Sequence, residues 1–393
     1  MAAKENVIRS MVPLYSRKKS YLINLASCIL LIALVYTTLG ASFSRDIYIN
    51  LIGISFSQMK GLAFVICYTT ILAVSLNIST GCLGEMVLGH AGFMAIGAYA
   101  GSIFLKYITN NVIDLNTATT LVSSLFTVLA MLIAFIAAAI SGLIVGIPAL
   151  RLRGDYLAII TLGFGQIIVK LLELFDFTGG ASGLKNVPKN ENIVLYLVVV
   201  VVVVALIFLV MRSRFGRAIL AIREDRIAAE ATGVPVTKYK ITAFSLSAGL
   251  AGIAGVMYAQ YLGTLLPTAF EFNYSVELLM IVVLGGLGSF TGSIFAAIVL
   301  TLLPEILRFM QDYRLIIYSI SLVIIMIKKP GGLLGRYEFS MTKFLKLLPS
   351  RIKALPKNTV KFLKSIPDGF VKFFKGLVNS VKKIFSHKGE AND

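Results

Sequence analysis

Apolar runs of about twenty residues recur along this chain, and they limit its possible folds more than any other feature. The run from Tyr21 to Gly40 is long enough to cross a bilayer as an α-helix and too long for a signal-peptide core, so we interpret it as a retained first helix. Hydrophobic residues make up 57% of the chain and charged residues only 14%. Soluble domains carry about 25% charged residues, so the composition predicts an all-α protein that crosses a membrane several times.

The apolar runs predict nine candidate spans. The segment 47–57 is apolar but short, which favours a helix lying at the membrane interface. The run 118–148 is long for one span, so it is expected to tilt or to extend beyond the bilayer. The candidate spans are 21–42, 61–78, 86–106, 118–148, 155–175, 192–211, 241–262, 276–307 and 315–327.

Positive charges lie between the spans where cytoplasmic loops are expected. Five Lys or Arg residues precede the first span, two arginines follow the fourth, and five follow the sixth. Nine crossings would leave residues 328–393, with 15 Lys/Arg against 4 Asp/Glu, outside the cell. The conflict disappears if 276–307 crosses or re-enters as two pieces, because four glycines within 285–292 make a poor helix interior. We therefore predict about ten membrane elements, with broken or re-entrant segments and both termini cytoplasmic.

Composition divides the chain into a cytoplasmic N-terminus at 1–20, a transmembrane domain at 21–338 and a basic cytoplasmic tail at 339–393. Eight apolar residues between Phe370 and Phe385 share one helical face, with lysines off it. A basic amphipathic helix of this kind binds anionic membrane lipid, although docking on a partner fits the same pattern. The net charge of +18 is not assigned to nucleic acid, because no nucleic-acid-binding motif accompanies it.

A second glycine-rich segment, Asn77–Gly101, carries polar groups within apolar surroundings. Two glycine-interrupted apolar segments in the two halves of a transporter indicate its substrate path, while close helix packing is the alternative role for such glycines. Ionisable groups inside a membrane also indicate function. The residues expected to line a translocation path are Asn77, Gly81, Gly84, Glu85, Gly89, His90, Gly285, Gly286 and Gly288.

Other chemistry is poorly supported. Three scattered cysteines and two histidines form no disulfide framework and no metal-binding spacing, so we expect neither metal nor cofactor. An ion-driven carrier would need charges deep in its spans, whereas Lys170, Glu173 and Glu277 fall near predicted ends. A membrane enzyme is disfavoured because no HExxH, paired aspartate or Ser/His/Asp pattern occurs.

The loop from Ser213 to Lys240 has the pattern of a short surface helix. Its middle, Ile219 to Thr232, is rich in Ala, Arg and Glu, and Gly233 and Pro235 then provide the residues that commonly end a helix. A short helix held between two spans can act as a lever, because a partner that grips it tilts both spans. On physical grounds alone, an ordinary solvated connector is the simpler interpretation.

Four stretches together resemble the longer, LivM-like permease of branched-chain amino-acid importers of the ATP-binding-cassette type. In order along about residues 60–335, they are Leu76–Tyr99, Leu150–Gln166, Ala221–Gly233 and Glu277–Gly292. The chain departs from the family pattern in the sequence Gly-Cys-Leu-Gly-Glu at 81–85. Gln166 also stands where an acidic residue is common. These departures affect the identity of the substrate more than membership of the family.

The resemblance implies a permease subunit in the bacterial plasma membrane that carries leucine, isoleucine and valine. Its partners would be ATPase subunits, a second LivH-like permease and an extracytoplasmic binding protein. The chain has no Gly-Lys dipeptide and hence no phosphate-binding GxxxxGK[ST] loop, so ATP hydrolysis is expected on another subunit. Urea or short amides, sugars or nucleosides, and a stand-alone carrier stay open as alternatives. The resemblance places contact with the ATPases at Arg223, Glu224, Arg226, Ala228, Ala229 and Gly233.

Overall fold

The computed structural model describes residues 56–306 apart from short gaps at 116–118, 151, 153 and 191, together with five single positions between 319 and 335. These residues belong to the unit Cys28–Glu338, and the second unit, Met1–Ser27 with Phe339–Asp393, lies outside the described part. The predictions for the N-terminus, the span 21–42, most of 47–57, nearly all of 315–327 and the basic tail fall outside it as well.

The described residues form α-helices joined by short connections, with no strand among them. A π-helix, Ile78–Cys82, continues α1, and 3₁₀ turns occur at Asp176–Thr178, Gly180–Ser182 and Pro267–Phe270. The α-helices are α1 Phe56–Asn77, α2 His90–Asn111, α3 Thr120–Ala149, α4 Asp155–Leu174, α5 Ile193–Arg212, α6 Arg214–Glu224, α7 Arg226–Ala231, α8 Val236–Leu262, α9 Phe272–Gly285 and α10 Phe290–Ile306.

Seven stretches of the described chain are long and apolar enough to cross a membrane. The predicted long run 118–148 is one helix, α3, whose 30 residues extend about 45 Å at 1.5 Å per residue. α10 is a shorter apolar helix. The seven stretches are Lys60–Cys82, His90–Asn111, Thr120–Ala149, Tyr156–Leu174, Ile193–Arg212, Val236–Leu262 and Pro267–Gly285.

The predicted break within 276–307 is confirmed. α9 ends at Gly285 and α10 begins at Phe290, and between them Gly286 and Gly288 have φ of +114° and +86°. A backbone with positive φ cannot continue a right-handed helix, and glycine adopts it at little cost. α9 and α10 then pack against each other and against α1.

The helix that carries Glu277 begins earlier than predicted. Hydropathy starts the predicted span at Val276, but the helix extends outward through Tyr274 and Asn273 to Phe272, preceded by a 3₁₀ turn from Pro267. Ten residues of the stretch Pro267–Gly285 therefore precede Glu277 and eight follow it. Glu277 thus lies well inside a stretch that is long and apolar enough to cross a membrane. The polar side chains before it hid the start of the helix from a hydropathy profile.

Burial separates central helices from peripheral ones. The apolar windows of α1, α8 and α2 are 72%, 67% and 61% buried within the protein, whereas that of α5 is only 17% buried. α5 is almost wholly aliphatic and has the highest mean hydropathy of the seven stretches, 3.6. An apolar surface of this kind is stable against lipid tails and unstable in water.

Glycines bring the central helices together. A Cβ built on Gly252 in α8 would lie 2.5 Å from the carbonyl oxygen of Ala134 in α3, and its Cα already contacts Gly97 in α2. Gly255 packs against the backbone of Met94 in the same way. Small residues allow this close backbone approach, which replaces the hydrophobic driving force that helices lack in lipid.

Candidate functional site

The first helix break follows α1. The π-helix Ile78–Cys82 ends in a hydrogen bond of 3.0 Å from the Leu83 N–H to the Ile78 carbonyl, and residues 83–89 are irregular before α2 begins at His90. Gly84 has φ of +81°. The second break, at 286–289, repeats the pattern Gly-x-Leu-Gly: residues 81–84 and 285–288 share it, and the last glycine of each has a left-handed conformation.

Asn77 joins the two breaks. Its Nδ2 donates hydrogen bonds to the Ser289 carbonyl (2.9 Å) and to Ser293 Oγ (3.0 Å), and its Oδ1 accepts one from the Gly288 N–H at 2.9 Å. The side chain is fully buried. Gly81 lies directly against the Gly288 nitrogen, where no side chain would fit. The two glycine-rich segments predicted as one path are thus brought together by a single amide.

Arg223, near the end of α6, lies against both breaks. A Cβ built on Gly84 would be 3.2 Å from its Cγ, and a Cβ built on Gly288 would be 2.7 Å from its Nη1. The side chain is half-buried and turned inward. Because the breaks follow the C-terminal ends of the π-helix and α9, the guanidinium lies where helix dipoles favour a cation.

Glu85 forms an ion pair with Lys240, near the start of α8. The side chains are 13% and 7% exposed, so the pair is largely withdrawn from solvent. Buried charges are tolerated when they are paired, and removing one partner leaves the other uncompensated. The ion pair therefore fixes the first break to the helix that follows the loop 213–240. Both breaks lie at the end of the bundle that carries this loop, here called the loop end.

Other predicted path residues have packing roles. His90 is fully buried beside Ser75, with 2.9 Å between Nε2 and Oγ. Ser75 Oγ also lies 2.8 Å from the Leu72 carbonyl, so the imidazole has a polar partner within the buried core. Gly89 lies against the backbone of Thr161, and Gly285 packs against Gly292 across the α9–α10 turn. No finding tests a transport role for these residues, and that role stays a prediction.

The loop 213–240 forms two helices instead of the predicted one. α6 and α7 meet at Asp225, whose backbone is extended and whose Oδ1 accepts hydrogen bonds from the Ile227 and Ala228 N–H groups at 2.9 and 3.1 Å. An aspartate that caps a helix start interrupts the helix before it. Gly233 has φ of +82°, in agreement with the predicted helix end.

The loop 213–240 has an exposed face and a buried face. Glu224, Ala228 and Gly233 are exposed and Arg226 is half-exposed, whereas Ala229 is buried with Ile222 and Val236. Ile227, which sequence reasoning missed, is 79% exposed. An isoleucine at the start of a helix looks like a core residue in a sequence, so its exposure could not be predicted. Contact of this surface with an ATPase stays a prediction.

Sequence reasoning also missed the partners of its predicted residues. Lys240, Ser289 and Ser293 complete the contacts of Glu85 and Asn77. The repeated Gly-x-Leu-Gly pattern was the available signal that the two breaks are related. Lys240 was visible as a cation at the edge of an apolar run, but its pairing spans 155 residues of sequence.

The family model and the most similar relatives described below agree with one another. The family model described as the permease component of the branched-chain amino acid transport system matches residues 58–326. The permease protein LivM of the high-affinity branched-chain amino acid transport system is 36% identical in Salmonella typhimurium and 37% in Escherichia coli, over 299 residues and 67% of each chain. LivH of Escherichia coli is 27% identical over 147 residues, covering 37% of this chain and 47% of its own. No solved structure matches the chain.

The family match includes nearly all of α1 and every later helix described above, with both breaks and the loop between α5 and α8. The seven stretches able to span a membrane among the described residues agree with a multi-pass membrane protein. This chain belongs to the family of permease components of branched-chain amino acid transport systems.

Proposed function

We propose that this chain is a permease subunit of an ATP-driven importer in the bacterial plasma membrane, and that it carries leucine, isoleucine and valine. The observation that carries the proposal is the family match across residues 58–326, together with the two LivM relatives. The chain acts as a transport subunit and leaves ATP hydrolysis to partner proteins.

Three kinds of partner complete the importer. A second, LivH-like permease is supported by the similarity to LivH, since two homologous halves can enclose a path between them. ATPase subunits supply the energy, and an extracytoplasmic protein delivers the amino acid. The basic tail adds attachment to anionic lipid.

The outward face of the loop 213–240 is the proposed ATPase contact. Glu224, Arg226, Ala228 and Gly233 lie on or near its exposed surface, and Ile227 adds an apolar anchor. Exposed apolar residues of this size mark protein contacts when polar residues surround them. Ala229 supports that face from behind through its contact with Ile222 and Val236.

Arg223 provides the proposed mechanical connection from the loop 213–240 to the two helix breaks. It belongs to the same loop, but its side chain contacts the glycines that form the two breaks. A displacement of α6 therefore reaches α1, α2, α9 and α10 through one side chain, and Asn77 keeps the breaks together as they move. We place the cytoplasmic gate of the path at these breaks, where Gly84 and Leu287 are exposed.

Replacing Arg223 tests this route. In proteoliposomes containing the complete importer, we expect Arg223→Ala to lower leucine uptake per ATP hydrolysed about 10-fold, the size of a typical coupling energy. Arg223→Lys keeps the charge but loses the planar guanidinium, so it restores part of the coupling. Arg217→Ala is the matched control, because Arg217 lies exposed on the same helix. Equal uptake per ATP for the two alanine variants would refute the route.

A disulfide checks the contact itself. The Cβ of Arg223 lies 3.9 Å from a Cβ built on Gly84, within the roughly 3.5–4.5 Å range of a disulfide. Gly84→Cys with Arg223→Cys should therefore cross-link on mild oxidation, whereas Gly84→Cys with Arg217→Cys should not. Failure of the first pair to cross-link in the assembled importer would show that Arg223 does not lie at the break.

Substrate identity is tested by uptake in cells. Deletion of this chain should abolish the ATP-dependent uptake of labelled leucine that its re-expression restores, and unlabelled isoleucine and valine should compete while urea and ribose do not. Loss of urea uptake with unchanged leucine uptake would instead support the short-amide alternative. A strain lacking other leucine carriers keeps the result free of redundancy.

A further inference from the structure

Glu277 lies near the middle of a candidate membrane span, and its carboxylate faces outward from this chain. It lies in α9 with ten residues of the stretch Pro267–Gly285 before it and eight after it, and it is exposed. A carboxylate facing lipid at that depth is costly, so such groups face a water-filled path, a partner or a ligand. The position and the exposure of this side chain together favour a polar partner against this face of α9.

Two tyrosines lie near the carboxylate, and a third packs against both of them. Tyr68 of α1 and Tyr274, one turn before Glu277 on α9, both interact electrostatically with it. Tyr258 of α8 joins them, with its ring centroid 5.4 Å from that of Tyr68 and 6.5 Å from that of Tyr274. The residues Tyr68, Tyr258, Tyr274 and Glu277, contributed by three helices, are here called the tyrosine–carboxylate cluster.

Within the described residues, the cluster contains a hydroxyl without a hydrogen-bond partner and a carboxylate without an ion-pair partner. The Tyr274 hydroxyl is buried and has no hydrogen-bond partner among the described residues. Within the same part of the chain, no cation forms an ion pair with Glu277, whereas Glu85 pairs with Lys240 and Glu173 pairs with Lys170 at 2.8 Å. A carboxylate without a cation is expensive at this position, and a bound cation with N–H groups would satisfy it.

The chemistry of the cluster matches an ammonium group attached to an apolar side chain. Carboxylates bind ammonium groups by charge-assisted hydrogen bonds, and tyrosine faces attract cations while also contacting apolar groups. A neutral amide such as urea would leave the carboxylate uncompensated. We propose that the tyrosine–carboxylate cluster binds the α-ammonium group of the amino acid during its passage, with Glu277 as the anionic contact. This assignment rests on the proposed function and adds a substrate contact to it.

The position of the cluster differs from that of the paired breaks. Glu277 lies eight residues before the end of α9, which is about 12 Å along a helix, and the break begins after that end. The substrate contact is therefore separated from the proposed cytoplasmic gate. In this arrangement, the ammonium group is held within the membrane while the Gly-x-Leu-Gly segments open or close below it.

The first experiment measures transport by the complete importer in proteoliposomes, with leucine supplied on its binding protein. Glu277→Gln removes the charge with little change in size and should lower leucine uptake about 10-fold, the loss expected for one charged hydrogen bond. Glu277→Asp keeps the charge and should recover at least part of it. Glu271→Gln, at the start of the same helix and outside the cluster, is the control and should transport like the unmodified protein.

The second experiment separates a substrate path from a lipid or subunit contact. In the assembled importer, Glu277→Cys should react with a small, positively charged, water-soluble methanethiosulfonate reagent, and leucine-loaded binding protein with ATP should slow that reaction. Labelling is counted above that of the parent chain, which has the native cysteines. Leu132→Cys, at a 56% exposed position within α3, should gain no label.

The possible results distinguish failure of the Glu277 assignment from failure of the proposed function. Normal uptake by Glu277→Gln, or no labelling of Glu277→Cys, would overturn the assignment while leaving leucine transport intact. Loss of importer assembly in Glu277→Gln would also overturn it, because the carboxylate would then serve a subunit contact. Absence of leucine uptake by the unmodified importer would instead contradict the proposed function, and the labelling result would still report whether Glu277 faces water.

Discussion

At the scale of single residues, Asn77 carries the connection between the two halves of the candidate site. Its amide makes two donated hydrogen bonds and one accepted one, all to residues more than 200 positions away in sequence. The left-handed backbone at Gly288 leaves an N–H that no helix satisfies, and Asn77 Oδ1 satisfies it. A short amide at the end of α1 is therefore required by the shape of the second break.

Removing this amide should destabilise the protein. Asn77→Ala leaves a buried N–H without an acceptor, which costs about 1–3 kcal/mol and should lower the Tm by roughly 2–4 °C for each kcal/mol lost. The measurement is thermal unfolding of the detergent-solubilised chain. Asn111→Ala removes an exposed amide with one hydrogen bond to Tyr107, and should shift the Tm by about 1 °C or less. Equal Tm values for the two variants would contradict the role of Asn77.

Sequence reasoning identified individual polar residues better than it identified their contacts. Asn77, Glu85 and His90 stood out because they interrupt apolar runs, and all three have polar partners in the structure. The partners of Asn77 and Glu85 could not be predicted, because pairings across 155 to 216 residues depend on how helices pack. The start of the helix that carries Glu277 was misplaced for a local reason, since polar residues at the start of α9 made the span appear to begin later.

At the scale of helices, glycines determine how closely the central elements approach. The Cα atoms of Gly97 in α2 and Gly252 in α8 lie in contact, and α3 meets the same position of α8 through Ala134. Gly163 in α4 differs, because a Cβ there would have no heavy atom within 4 Å. The two kinds of glycine look alike in sequence, and only packing distinguishes them.

This difference predicts opposite effects of one methyl group. Gly252→Ala would place its Cβ against a backbone oxygen and push α8 from α3, at a cost of about 1–3 kcal/mol. Gly163→Ala meets open space in a helix and should be neutral or stabilising by up to about 1 kcal/mol. Thermal unfolding of both variants beside the unmodified chain gives the comparison. Destabilisation by Gly163→Ala equal to that of Gly252→Ala would refute the packing explanation.

Helix positions were predicted closely and helix interruptions less so. Runs of apolar residues locate α1 to α5, α8 and the break between α9 and α10, because hydropathy and glycine content are local properties. The split between α6 and α7 was missed, since Ala-rich and Glu-rich sequence favours one continuous helix. Asp225 separates the two helices by capping the start of α7. A cap competes with helix continuation only when the surrounding contacts favour it.

At the scale of the whole molecule, the described chain carries three groups of residues with separate proposed roles. Glu277 of the tyrosine–carboxylate cluster lies within the stretch Pro267–Gly285, the second break follows that stretch, and Arg223 of the loop 213–240 lies against both breaks. Arg223 and the Glu85–Lys240 pair connect the loop to the breaks. These contacts connect the proposed ATPase surface to the proposed cytoplasmic gate.

The most direct test is ATP-driven leucine uptake by proteoliposomes that contain the complete importer, compared with a preparation lacking only this chain. Binding protein is supplied on one side and ATP on the side of the loop 213–240. Leucine should accumulate only when ATP, the binding protein and this chain are all present, and isoleucine and valine should suppress it while urea does not. ATP hydrolysis without leucine accumulation, or accumulation that persists without this chain, would contradict its assignment as the permease.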